Sequence, residues 1–178
     1  MTEVTIKDKT FEKFIGSERI QKRIEELAIQ INEDYQGKKI IFLVVLNGAF
    51  LFAADLFRNL KNDCSISFIK LSSYSGTSSS GAVKQIMSFT ENVEDRHVVI
   101  IEDIVDTGHT AQYLLKEIKK QNPSSVKLAS LLFKPEAIEY DYSPDYTGFD
   151  IPNAFVIGYG LDYDGAGRNL KDIYQLKT

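Results

Sequence analysis

"VVIIEDIVDTGHTA", residues 98–111, decides the fold. Val98, Val99, Ile100 and Ile101 form an unbroken β-branched run, which predicts a buried strand. The run meets two adjacent acids, Glu102 and Asp103, and then a third, Asp106. Thr107, Gly108, His109 and Thr110 follow and lead into an apolar-periodic segment that predicts a helix from about Gly108 to Gln121, stopped at "NP" before Pro123. A glycine flanked by hydroxyls at a helix start suits an anion, because backbone amides point outward there. Three carboxylates beside such a cradle therefore need an explanation.

The same strand-then-helix order extends in both directions. Upstream, Ile20, Ile24, Leu27, Ala28 and Ile31 recur at helical spacing, with Ser17 placed to cap and Gly37 to stop. "KIIFLVVL" (39–46) reads as a strand, "GAFLFAADLFRNL" (48–60) as a helix, and "CSISFIKLSS" (64–73) as another strand. The Ser- and Gly-rich "SYSGTSSSGA" (73–82) reads as a loop running into a strand at 83–89. Downstream, "SVKLASLLF" (125–133) and "AFVIGYG" (154–160) read as strands, the latter as the last. Buried strands alternating with helices predict an α/β fold with a mainly parallel, twisted sheet flanked by helices and right-handed crossovers. Ligands of such sheets sit beyond the strands' carboxyl ends, where "NGA" after Leu46, "EDIVDTGHT" after Ile101 and "KPE" after Phe133 all fall.

The 178 residues fit one domain spanning 1–178. A net charge of -4, without a basic cluster, argues against nucleic acid as a partner. Cys64 is the single cysteine, so neither an intrachain disulfide nor a Cys-rich zinc site is available, and it reads as a small core residue beside Ile66 and Phe68. The start of the chain lacks the order of a secretion signal. The apolar run 40–57 is broken by Asn47, Gly48 and Asp55, so a membrane span is not expected and a cytoplasmic setting is.

Two nucleotide motifs fail. "GTSSSGAV" (76–83) has Ala82 and Val83 where a phosphate-binding loop needs Lys and Ser or Thr, and "GYGLDY" (158–163) has Tyr163 at the third glycine of a dinucleotide fingerprint. For residues 102–110 two readings stand. One makes Asp106 or Thr107 a helix cap and the acids surface charges. In the other, the turn grips a phosphate while acids at the strand end accept hydrogen bonds from sugar hydroxyls, directly or through a metal.

Residues 98–110 resemble the phosphoribosyl-diphosphate signature of the phosphoribosyltransferases: an apolar strand, two acids, then D-T-G-x-T. The similarity reaches the purine-salvage branch acting on hypoxanthine and guanine. "VLNGAF" (45–50) resembles its first loop and "LSSYSGTSSSG" its lid, with Ser73 and Tyr74 as the Ser-Tyr pair. "SLLFKPE" (130–136) resembles its base-reading segment, and "GFDIPNAFVIGYGLDYDGAGRNL" (148–170) its purine-binding end. The resemblance implies that fold, with a small hood built from the terminal segments. It also implies transfer of a phosphoribosyl group to N9 of a 6-oxopurine, magnesium as cofactor, and a homodimer or homotetramer.

Carried over by position, the resemblance gives Glu102 and Asp103 the ribose hydroxyls and residues Asp106, Thr107, Gly108, His109 and Thr110 the 5′-phosphate. Asp106 becomes the catalytic acid–base group at N7. Asn47, Gly48 and Arg168 fall to the diphosphate. Lys134 falls to O6, Phe155 to stacking on the ring, and the Val156 backbone to the base edge. Asp162, at the purine end, is given magnesium, with Glu102 and Asp103 as further candidate ligands. Each residue also has a plainer reading: Lys134 as a solvated loop lysine, Phe155 as core, Asp162 and Arg168 as a surface ion pair. Glu102 and Asp103, being neighbours on a strand, should point to opposite faces. The chain departs from the family in having Asn47 where lysine is usual, and small residues in "DGAG" (164–167) before Arg168. The family's cis peptide would fall at Asn47–Gly48, and a protonated His109 would add a phosphate contact. The rivals are an RNA-binding attenuation regulator of the same fold, disfavoured by the missing basic face, and a transferase for xanthine or adenine.

Overall fold

The computed structural model describes residues 2–73, 83–87 and 91–177. Tyr74 and the remainder of the expected lid lie outside the described residues, and Ser73 is placed only as the last residue of a strand. In chain order the elements are Glu3–Ile6 (β1), Lys9–Ile15 (β2), Ser17–Asp34 (α1), Ile40–Leu46 (β3), Phe50–Arg58 (α2), Cys64–Ser73 (β4) and Val83–Met87 (β5). They continue with His97–Val105 (β6), His109–Lys119 (α3), Ser125–Phe133 (β7), Tyr146–Asp150 (β8), Val156–Ile157 (β9) and Ile173–Leu176 (β10).

The main sheet has the order β5-β4-β3-β6-β7-β8. All neighbours are parallel except β4 and β5, which form an antiparallel pair at one edge. Alternation along the strands sends Phe42, Val44, Val99 and Ile101 into a core with α1 and α2. Ile41, Leu43, Val98 and Ile100 go to a second core with α3. Burial on both faces explains why these strands are continuously apolar. The run 40–57 is β3, a turn and α2, and among the described residues no helix is long and apolar enough to cross a membrane.

A second sheet, ordered β1-β2-β10-β9, is built from both ends of the chain, matching the expected hood. Here the local reading fell short. The expected strand 154–160 shrinks to Val156–Ile157, because Gly158, Tyr159 and Gly160 all have positive φ and turn the chain away. It is not the last strand, since β10 follows and pairs with β2 and β9. Ser17 does not cap α1: the cap position is Gly16, and the Ser17 amide donates to the Asp172 carboxylate at 2.7 Å. α2 and α3 are each shorter at both ends than their apolar patterns suggest.

Candidate active site

The order of strands reverses between β3 and β6. The chain moves outward to β4 from one and to β7 and β8 from the other, and such a reversal opens a crevice at the carboxyl ends. Pairing of β3 with β6 ends at Val44↔Ile101, whereas β6 stays with β7 as far as Val105↔Phe133. The two central strands therefore part just before Glu102 and Asp103. The first loop enters this gap through a cis peptide at Leu46–Asn47, one bond earlier than Asn47–Gly48.

The two adjacent acids part. Glu102 lines the turn that leads into α3, whereas Asp103 is not in that lining and lies against Gly48 of the first loop. Glu102 is buried with its Oε1 unpartnered among the described residues. Burial, reinforced by the charge of Asp103, pushes its carboxyl well above the usual range. Asp103 lies directly on Gly48, where any Cβ would overlap its carboxylate. Burial raises Asp103 to about 6, with Asp162 adding to the rise and the local amides and Arg168 opposing it.

The turn after β6 forms a cup. Glu102 and residues 104–111 line a cavity of about 100 Å³, room for a single anionic group. Gly108 has φ +87, and a side chain there would also run into Ile138. The first bond of α3 runs from the Gln112 amide to the Gly108 carbonyl. Among the described residues the amides of 107–111 donate to no protein acceptor, the usual condition of a helix N-terminus. His109 lines this cup, and both ring nitrogens have partners: Nδ1 lies 2.6 Å from the Tyr140 hydroxyl and Nε2 3.0 Å from Glu139.

Register brings the next two residues together. Val105 pairs with Phe133, the Lys134 amide donates to the Val105 carbonyl at 3.0 Å, and Asp106 and Lys134 thereby become neighbours. Lys134 Nζ donates to Asp106 Oδ2 at 2.6 Å. The lysine is buried rather than solvated. Charge balance reconciles three carboxylates with an anion cup. Glu102 is pushed toward its neutral form, Asp106 is matched by an ammonium, and Asp103 lies outside the cup lining, against Gly48. The cup is left free to attract an anion.

On the Asp103 side, Arg168 spans two contacts. One guanidinium nitrogen donates to the Gly160 carbonyl at 2.6 Å and the other meets Asp162 at 2.6 Å. The remaining Asp162 oxygen accepts from the Gly165 amide at 2.7 Å, so "DGAG" folds into a turn that holds this acid. Gly160 (φ +100) presses on the Gly48 carbonyl so closely that a Cβ would overlap it. Gly48, Asp103, Asp162 and Arg168 thus gather on one side of the crevice, while Asn47 is exposed at its lip.

Phe155 is 45% exposed, so it is not core. Its ring centroid lies 6.2 Å from that of Phe11 and 5.9 Å from that of Tyr163. Val156 sits on β9, the outer strand of the hood. The Leu176 amide donates to the Phe155 carbonyl, and Val156 stands opposite Gln175. Antiparallel strands alternate bonded and non-bonded pairs, so the Val156 amide and carbonyl face away from β10. Among the described residues no hydrogen bond joins Phe155 or Val156 to Lys134. The link is the Ile151 amide, which donates to the Phe133 carbonyl at 2.8 Å.

Sequence reasoning passed over several residues that hold this arrangement. Ile138, Glu139 and Tyr140 fasten the outside of the cup, and Tyr159 carries a hydroxyl to Asp55 on α2. The only local signal was the Gly-Tyr-Gly spacing at 158–160. His97, at the start of β6, meets Ser125 Oγ at 2.8 Å. Cys64 packs partly buried against the core.

The phosphoribosyl transferase domain matches residues 16–164. The hypoxanthine-guanine phosphoribosyltransferase of Streptococcus thermophilus is 42% identical over 172 residues, covering 96% of each chain. That of Bacillus subtilis is 41% identical over 164 residues, covering 92% of this chain and 91% of its own. A crystal structure of a hypoxanthine-guanine phosphoribosyltransferase from Bacillus anthracis superposes with a TM-score of 0.87 at 38% identity, covering 94% of this chain and 97% of the other. With its signature turn lining a cup at the switch point of a parallel sheet, and with relatives matching nearly end to end, the chain belongs to the phosphoribosyltransferase family, in the hypoxanthine-guanine branch.

Proposed function

We propose that the chain, as one domain over 1–178, transfers the 5-phosphoribosyl group from phosphoribosyl diphosphate to N9 of a 6-oxopurine, releasing diphosphate, and that the residues gathered in the crevice divide that task. The observation carrying the assignment is the Asp106–Lys134 pair, 2.6 Å apart at the rim of the anion cup. A 6-oxopurine presents O6 and N7 side by side, which an ammonium and a carboxylate in contact match as donor and acceptor. Lys134 turns to O6, and Asp106 accepts the N7 proton as N9 attacks. The cup's amides, with Thr107 and Thr110, hold the 5′-phosphate. Glu102 serves the ribose hydroxyls from inside the cup and Asp103 from beside Gly48. Phe155 stacks on the ring, and the outward amide and carbonyl of Val156 meet its edge. The lid at 73–82, with Ser73 and Tyr74, closes against water.

Gly48 and Arg168 take the diphosphate, with Asn47 at the lip, and charge-matched donors there stabilise the departing group. Magnesium fits this side. Among the described residues no cluster of three or more metal-binding side chains exists. Magnesium, however, commonly binds through one or two carboxylates together with substrate phosphates and water. Asp162, with Asp103 as a further candidate on the same side, would hold it; Glu102, the other candidate from the sequence, lies in the cup instead. Held there, the ion would supply Lewis-acid neutralisation of charge on the leaving diphosphate. A cytoplasmic setting and a homodimer or homotetramer belong to the same reading.

The test is direct. Protein mixed with magnesium, phosphoribosyl diphosphate and each of hypoxanthine, guanine, xanthine and adenine should form nucleotide with the 6-oxopurines and far less with adenine. Adenine as the preferred substrate would contradict the role of Lys134, and RNA binding without turnover would favour the regulator.

A further inference from the structure

The side of the crevice assigned to the diphosphate is backed by a hydrogen-bond network reaching α1 and α2. Tyr159 is buried and adopts φ +48 between two left-handed glycines. Its hydroxyl donates to Asp55 Oδ2 on α2. The same oxygen accepts from Gln21 Nε2 on α1 at 2.6 Å, and Gln21 lies 3.4 Å from the Tyr159 hydroxyl. A buried tyrosine needs a partner for its hydroxyl, but a neighbour within the hood would have met that need. Instead the bond crosses to α2, the helix that begins directly after the first loop.

Tyr159 is followed by Gly160, which presses on the Gly48 carbonyl and accepts the Arg168 guanidinium. Gly48 in turn bears on Asp103. The order of contacts is thus α2 to Tyr159, Gly160 to Gly48 and Arg168, and Gly48 to Asp103. We infer that the Tyr159–Asp55 hydrogen bond is a positioning clamp, setting Gly48 and Arg168 at the spacing the leaving diphosphate requires. The inference rests on the assignment of Gly48 and Arg168 to the diphosphate. Tyr159 and Asp55 are positioning residues; neither needs to touch substrate.

Tyr159→Phe removes the hydroxyl, keeps the buried ring and leaves Asp55 with Gln21. Its KM for phosphoribosyl diphosphate and its inhibition constant for free diphosphate should each rise about ten-fold, the scale on which small misplacements act. KM for hypoxanthine should stay within about two-fold, since the base is held elsewhere. Asp55→Ala should reproduce that pattern. Adding it to Tyr159→Phe should raise KM for phosphoribosyl diphosphate little further, because the clamp bond is already gone. The Gln21 and Arg58 contacts that Asp55→Ala also removes lie between α1 and α2 or within α2. Asp55→Asn, which keeps an acceptor oxygen for both donors, should recover most of what Asp55→Ala loses. Equal shifts for both substrates, or an unchanged diphosphate constant in Tyr159→Phe, would overturn the clamp. Arg168→Ala separates the two levels. If it raises KM for phosphoribosyl diphosphate while Tyr159→Phe does not, the clamp alone is wrong. If Arg168→Ala also leaves it unchanged, the diphosphate assignment fails and the clamp with it.

Discussion

The two halves of the Lys134–Asp106 pair should fail in different ways when removed. The lysine side chain is 7% exposed and the aspartate 47%. Lys134→Met keeps most of the stem's apolar volume and leaves a carboxylate already half in water. Asp106→Asn leaves a buried ammonium facing a neutral amide. Weakening the partner of a buried charge costs about 1–3 kcal/mol, whereas loss of a pair with a half-solvated member costs about 1 kcal/mol or less. Urea unfolding at neutral pH should therefore show Asp106→Asn as the less stable variant. Kinetics should invert the comparison of substrates. Asp106→Asn should lower kcat by ~10²–10⁴ through loss of the proton acceptor. Lys134→Met should lower kcat/KM for hypoxanthine by about 10–150-fold, the worth of one hydrogen bond to a charged group, with KM for phosphoribosyl diphosphate unchanged. Equal destabilisation by the two substitutions, or a Lys134→Met variant that binds both substrates poorly, would refute the argument.

Gly108→Ala forces an L side chain into a left-handed turn and against Ile138. It should lose about 1–2 kcal/mol of stability and weaken phosphoribosyl diphosphate binding, as urea melts and initial rates will show. Gly48→Ala pushes a methyl into the Asp103 carboxylate without any φ penalty. We expect KM for phosphoribosyl diphosphate to rise by about ten-fold or more, and a normal KM would mean that Asp103 is not needed where it lies. Asp172 is raised by burial but lowered further by Lys13 and the Ser17 amide, to about 2 from an ordinary 3.8. Its contribution, about 2 kcal/mol, should be complete above pH 4 and vanish as pH falls from 4 toward 2. Asp172→Asn should lower stability at neutral pH and flatten that acid limb, and an unaltered slope would count against the pair.

The parts of the fold and site that were legible are those with a local cause. Val98 to Thr110 announced a strand, a turn and a helix through its pattern, and the alternation expected for Glu102 and Asp103 breaks at Ile104 and Val105, with Glu102 in the cup and Asp103 against Gly48. The loops at the ends of β3, β6 and β7 were locatable because parallel sheets place their variable polar segments there. What stayed hidden depends on partners distant in sequence. β2 mixes lysines and glutamate with its apolar residues and becomes a strand through β10, at the other end of the chain. Asp172 reaches back to the Ser17 amide, a bond no helix-start pattern can announce. Lys134 reads as solvent-facing until the register of β7 on β6 carries it inward beside Asp106. Gly160 against Gly48 likewise has no local signature, since only the folded crevice brings those two backbones together.

The brevity of β9 has an effect beyond the crevice. Strands at the rim of a sheet invite other extended chains to zip alongside, and proteins commonly blunt that hazard by keeping such strands short. β9 lasts two residues before the left-handed run at 158–160 bends the backbone out of plane. A foreign peptide would find too few rungs to climb. The bend that carries Gly160 onto the first loop thus also guards the rim of the hood against sticky neighbours.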